Sequence, residues 1–318
     1  MNTTWILGAP DPEMQAIEAV LRAHGQRVEY AFDTNGKRVH PGSAYRTTAS
    51  SGGALRPDGG DVASGIVEAT VLGVVFLVEC APAAHIYGDV AVEVVDHHRE
   101  GDPGYGCPPA EFLSASSIGQ VLLHLARIEY GVEHRFLIDL TGHWALQGVG
   151  SYEQSAVEPE HVLVAAADHC LAAAYRRECP GVDPDELMRW RISSRARFQG
   201  RDEAALLADV EATRGRLWDL RDDQSEEYSC GASCCGYQPP AVIVVPNYEH
   251  LPELPEAAAR EGLAVEAAGL VDRDGRRKVV LTGCCPPDVV ARWMDGQRAL
   301  GREVYGDPAR GFAGAYIA

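Results

Sequence analysis

The chain is short of positive charge. Its 318 residues hold 28 Lys and Arg against 46 Asp and Glu, a formal net charge of −18. Proteins that coat duplex nucleic acid neutralise phosphates with Lys and Arg, so this balance argues against broad duplex DNA binding. It leaves small anionic substrates open, because bound divalent cations can reverse a local field. Long apolar runs are missing as well. No stretch reaches the ~18 apolar residues of a membrane span, and no membrane partner is expected. The opening residues MNTTWILGAPD lack the basic start and long apolar run of a secretory leader. Nine cysteines, an odd number, then suggest mostly reduced thiols and a cytoplasmic protein.

What is present is the composition of a globular protein, 46% hydrophobic and 23% charged. Thr4 to Gly8 is a short apolar strand signal. Asp11-Pro12-Glu13 reads as a helix start, with Asp as the cap and Pro in the first turn. Met14, Ile17, Val20 and Leu21 give that helix one apolar face. Strands are expected at 28–32, 71–78 and 90–95, and residues 33–63 read as a long loop or a small hairpin insertion. Ser116 caps a further helix, and helical patterns follow at 159–178, 183–198 and 202–221. Strand signals at 241–245, 264–270 and 278–281 and a helix at 288–300 complete the chain, with a hairpin turn expected in VDRDGRR at 271–277. The expected fold class is α/β: a parallel-rich sheet with helices on both faces over 1–225, a linker over 226–240, and a smaller α/β domain over 241–318.

One stretch asks for an explanation. Residues 92–102 read VEVVDHHREGD, an apolar strand that runs straight into Asp96, His97 and His98. A turn needs no two adjacent imidazoles, and in open α/β sheets ligands bind at the carboxyl ends of strands. Two other apolar segments also end at carboxylates: Asp11 and Glu13 after the first, Glu79 after the third.

Together these residues resemble the DHH phosphoesterase superfamily, which includes family II inorganic pyrophosphatases, exopolyphosphatases, RecJ-type exonucleases and bacterial nanoRNA phosphodiesterases. The resemblance covers about residues 1–200. Asp96-His97-His98 matches the family's third motif outright. Pro10-Asp11-Pro12-Glu13 matches the first motif, Pro-Asp-x-Asp, with Glu13 for the second Asp; Glu79 stands at the lone Asp of the second; Ala115-Ser116-Ser117 matches the helix start that follows the third; and Asp168 is the match for the fourth. The resemblance implies hydrolysis of a small phosphate compound, nucleotide or short oligonucleotide by metal-activated water, with two Mn²⁺ or Mg²⁺ ions. It implies that Asp11, Glu13, Glu79, Asp96, His97 and Asp168 form the metal set, with Asp96 orienting His97 from behind, and that Asp96 and His98 are catalytic, His98 meeting the scissile phosphate. Adjacent residues leaving a strand point to opposite sides, so the two rings are expected to diverge. The cleft between the domains is the expected site, and a homodimer stays open.

The departures matter equally. Leu7 stands where the first motif has a histidine, and Leu binds no metal. Either His40, His85 or His169 replaces that ligand, or the site holds one ion, or hydrolysis is lost and binding of a nucleotide or a protein partner is kept. Near the C-terminus, Gly306 to Ala315 is Gly-rich but lacks the family's Gly-Gly-His; Arg310 and Gly311 are candidates for holding phosphate there, against a plain turn. Cys230, Cys234, Cys235, Cys284 and Cys285 admit a zinc site or incidental thiols. Arg189, Arg191, Arg195 and Arg197 read as a solvated helix face or a cleft wall.

Overall fold

The computed structural model describes residues 2–33, 36–41, 43–46, 49–50, 53–54, 73–80, 91–152, 154–227, 242–246, 249–271 and 275–317. They form two compact units, Met1–Cys107 with Glu111–His169, and Pro108–Ala110 with Cys170–Ala318.

The first unit is built on a six-stranded sheet of β1 (Asn2–Leu7), β2 (Arg27–Phe32), β3 (Ala49–Ser50), β4 (Gly53–Ala54), β5 (Gly73–Val78) and β6 (Ala91–Val95), in the order β4-β3-β2-β1-β5-β6. β2, β1, β5 and β6 run parallel. β3 and β4 add a small antiparallel hairpin, inside the stretch read as a long loop or a small hairpin insertion. The central strands are buried on both faces, which is why they read as unbroken apolar runs. Ile6 packs with Val75 and Leu77, while Trp5 stacks on Phe76 with ring centroids 4.0 Å apart.

Helix α1 (Pro12–Ala23) starts as its sequence demands: the Asp11 side chain accepts a bond from the Met14 N–H, and Met14, Ile17 and Leu21 are buried. A short α2 (Phe112–Ala115) precedes α3 (Ser117–Tyr130), which Ser116 caps by accepting from the Gly119 N–H and Gly131 ends in a left-handed conformation. Between α3 and α4 (Pro159–His169) lies an antiparallel meander of β7 (His134–Ile138), β8 (Trp144–Gly148) and β9 (Gln154–Ala156). That sheet was not anticipated. Its strands are short and half-exposed, so no strong alternation marks them.

The second unit holds α5 (Leu171–Tyr175), α6 (Pro184–Gln199), α7 (Glu203–Glu227), β10 (Ile243–Val245), α8 (Leu254–Arg260), β11 (Ala264–Val271), β12 (Arg277–Gly283), α9 (Pro287–Ala299), β13 (Glu303–Asp307) and β14 (Phe312–Ile317). Its sheet runs β10-β11-β12-β14-β13 and is antiparallel except for the β10–β11 pair. β11 and β12 pair as the expected hairpin, Val271 opposite Arg277.

The helical stretch expected at 159–178 breaks at Cys170 into α4 and α5. The helices over 171–227 group with the C-terminal sheet instead of the first domain. The reason is their apolar faces: Leu206, Val210, Leu217 and Leu220 share a core with Ile243, Val245 and Val265. The arginines of α6 are not a uniformly solvated face either. Arg191 pairs with the buried Glu256 at 2.7 Å, and Arg195 pairs with Glu253. Arg189 is exposed. The expected linker, 226–240, lies outside the described residues from position 228 on. Among the described residues, no helix is long and apolar enough to cross a membrane.

Candidate metal centre

The parallel register builds the site. Leu7 pairs with Val78, and Val78 with Val95. The next residues, Gly8, Glu79 and Asp96, therefore sit level at one sheet edge. The edge is tightly closed: Gly8 N–H donates to Val78 O, and Glu79 N–H to Val95 O. A Cβ on Gly8 would come within 2.4 Å of the Glu79 carbonyl oxygen. Glu79 itself adopts φ +50, a left-handed conformation that costs a non-glycine residue about 1–2 kcal/mol. Such strain is found where a side chain must be aimed.

Four residues of the first unit converge. Glu79, His97, His98 and Asp168 each offer one ligand atom, and these atoms all lie within 4.8 Å of one another. His97 Nε2 is 2.7 Å from Asp168 Oδ2. The His97 ring is fully buried. Ser117 Oγ donates to Glu79 Oε1 at 2.8 Å and lies 3.4 Å from His97 Nδ1. Glu13, buried in the first turn of α1, accepts from the Ile118 N–H at the start of α3. Asp11 keeps one oxygen on the α1 cap, 2.7 Å from Met14 N.

The electrostatics are those of crowded carboxylates. Burial first, then the Asp168, Glu79 and Asp11 charges, hold Glu13 well above the ordinary carboxylate range. Burial pushes Glu79 up to about 8, aided by Asp168, Asp11 and Asp96 and opposed by His98. Asp11 is pushed up to about 6 by burial and by Asp168, against the Met14 N–H and His98. Glu13 Oε2 is buried, with the Asp168 carboxylate against it. Carboxylates packed in this way call for protons or a cation. Two imidazoles and two carboxylates are a donor set that could hold a metal ion.

Asp96 plays a different part from the one expected. Its Oδ1 accepts from the N–H of His97 (2.7 Å), the N–H of His98 (3.0 Å) and His98 Nδ1 (2.8 Å). Its Oδ2 accepts from the Tyr45 hydroxyl at 2.7 Å. Burial raises the Asp96 pKa, but bonds from His98 and Tyr45 and the two imidazole charges outweigh it, so the carboxylate sits below its ordinary range. Asp96 is thus not among the four converging groups; its carboxylate holds the His98 ring through Nδ1 and the His97 backbone through the N–H. The rings do not diverge. They stack with centroids 4.4 Å apart at 24°. Strand alternation ends at Val95, and the Asp96 side chain turns the next two residues back on itself.

The other candidates fall elsewhere. Leu7 is fully buried in the core. His169 packs edge-on against His97 at 5.2 Å, with Nε2 3.3 Å from Cys107 O, and is not one of the four. His40 belongs to a loop turn with Ser43, and His85 lies outside the described residues. Arg310 and Gly311 belong to the second unit, where Asp307 caps a turn between β13 and β14 and Gly311 takes φ +71. Among the described residues no cysteine joins a metal-capable cluster; Cys285 Sγ donates to Thr282 O, and Cys284 Sγ accepts from Arg176. Cys230, Cys234 and Cys235 lie outside the described residues.

Tyr45 and Gln120 carry no sequence signal for a role here. Gln120 holds the Asp96 backbone, donating to Asp96 O at 3.0 Å and to Ala115 O at 2.7 Å. Gly104 lets two segments meet: a Cβ there would come within 1.9 Å of Ala115 O and 2.7 Å of His97 Cβ. Comparison with known proteins finds no family model, no curated protein and no solved structure that matches this chain.

Proposed function

We propose that the chain is a divalent-metal-dependent phosphoesterase acting on a small phosphate compound, a nucleotide or a short oligonucleotide. The convergence of Glu79, His97, His98 and Asp168 at the carboxyl edge of a parallel sheet carries this reading. Asp11 and Glu13 lie close enough to feel the Asp168 charge, and they would extend the donor set toward a second ion. The hard carboxylates and imidazoles suit Mn²⁺, with Mg²⁺ as the alternative. The similarity of the motif to DHH phosphoesterases supports the choice of substrate.

The residues fit the group. A bound divalent cation supplies charge stabilisation for a phosphate and a nucleophilic water at neutral pH. Without it, this acidic edge would repel a phosphate, so metal and substrate binding are coupled here. Ser117 fixes Glu79, Asp96 fixes His98, and the start of α3 fixes Glu13 through the Ile118 N–H. Together they hold the donor set rigid before an ion arrives.

Leu7 favours a second reading, a cleft that binds a nucleotide or a partner without hydrolysis. Purified protein loaded with Mn²⁺ and screened for phosphate release from pyrophosphate, dinucleotides and 3′-phosphoadenosine phosphate separates the two. Metal-dependent release supports hydrolysis. Metal uptake with no release from any of these, or no uptake at all, favours the second reading.

A further inference from the structure

Leu7 leaves the first motif without its imidazole, yet the cluster contains two imidazoles. We infer that His98 supplies the imidazole that Leu7 cannot, and that Asp96 and Tyr45 are the positioning residues that set its tautomer for metal binding. This rests on the metal centre proposed above, which already counts His98 among its donors, and adds the groups that set its tautomer; it replaces the phosphate contact that the resemblance implies for His98.

The hydrogen bonds dictate the tautomer. His98 Nδ1 lies 2.8 Å from Asp96 Oδ1, and an ionised carboxylate can only accept. Nδ1 therefore carries the proton. In the neutral ring the lone pair is then on Nε2, the arrangement in which a carboxylate behind a histidine prepares it for a metal. Asp96 is itself pinned. Two backbone N–H groups hold Oδ1, and the Tyr45 hydroxyl holds Oδ2 at 2.7 Å. Burial and the Asp96 and Glu79 charges keep that hydroxyl protonated far above the usual tyrosine range, so it donates. The Arg99 guanidinium covers the Tyr45 ring, 3.3 Å from its centroid, which fixes the phenol from the other side. The stack of His98 on His97 keeps both rings on one side of the strand end.

Pulsed electron paramagnetic resonance on the Mn²⁺-loaded full chain counts the imidazole nitrogens on the metal directly. The wild type should show two ¹⁴N couplings, and His98→Gln should show one. Tyr45→Phe should keep both couplings and weaken Mn²⁺ affinity by about 10-fold or more, the scale of losing an outer partner of a ligand. A single coupling in the wild type that survives in His98→Gln and vanishes in His97→Ala would overturn the inference while the metal centre stands. Unchanged affinity in Tyr45→Phe would overturn the positioning role alone. No Mn²⁺ uptake by the wild type would remove the metal centre, and this inference with it.

Discussion

Ser117 serves two members of the cluster at once. Its hydroxyl donates to Glu79 Oε1 and lies 3.4 Å from His97 Nδ1, so it holds a carboxylate and an imidazole in one geometry. Ser117→Ala should weaken Mn²⁺ affinity by about 10- to 100-fold while leaving the fold intact, because outer partners of metal ligands contribute on that scale. Isothermal titration with Mn²⁺ measures this, and an affinity equal to wild type would make the hydroxyl a packing group only. Much of this residue layer was legible in advance. Glu79, His97 and Asp168 stand out because strand signals end at them or a helix carries them, and Ser117 because it opens a helix. Tyr45 was not legible. It lies in a short 3₁₀ turn, Ala44–Arg46, and only the folded chain brings it to Asp96, 51 residues away. The shared side of His97 and His98 was equally hidden, since it depends on a side-chain turn by Asp96 and not on strand alternation.

At the scale of elements, α3 is the piece that closes the site. Its first turn supplies Ser117 and the Ile118 N–H, and Ser116 holds that turn by accepting from the Gly119 N–H at 3.2 Å. Ser116→Ala should lower stability by about 1 kcal/mol, the usual cost of an N-cap. Loosening this turn should also weaken metal binding. Urea unfolding gives the first effect. A loss of stability without any loss of Mn²⁺ affinity would mean that cap and site are independent. The caps of α1 and α3 were readable because Asp, Pro and Ser act locally. So was the four-strand parallel core, because strands buried on both faces lose their polar residues. The β7–β8–β9 meander was not, because its burial is partial and its stabilising contacts are distant in sequence. Nor was the break at Cys170: Ala and Leu on both sides favour helix, and no Gly or Pro marks the interruption.

At the scale of the whole molecule, the raised carboxylates tie stability to pH. Glu79 is pushed up to about 8 and Asp11 to about 6, both above their unfolded values. The folded state therefore holds more protons than the unfolded state between roughly pH 4.5 and 8, and stability falls as pH rises through that window. A cation bound there would replace those protons, so metal binding should release protons and recover the lost stability. In chelator-treated protein, Tm should fall from pH 5.5 to pH 8. Added Mn²⁺ should raise Tm more at pH 8 than at pH 5.5. An equal metal effect at both values would mean that these carboxylates do not bind the ion.

The most direct measurement is equilibrium Mn²⁺ binding by the purified full chain and by Glu79→Gln. Glu79 is one of the four converging residues, and Gln keeps its shape while removing its charge. The wild type should take up Mn²⁺, and Glu79→Gln should bind it at least 10-fold more weakly. Equal binding by the two proteins, or no binding by the wild type, would contradict a metal centre at this sheet edge.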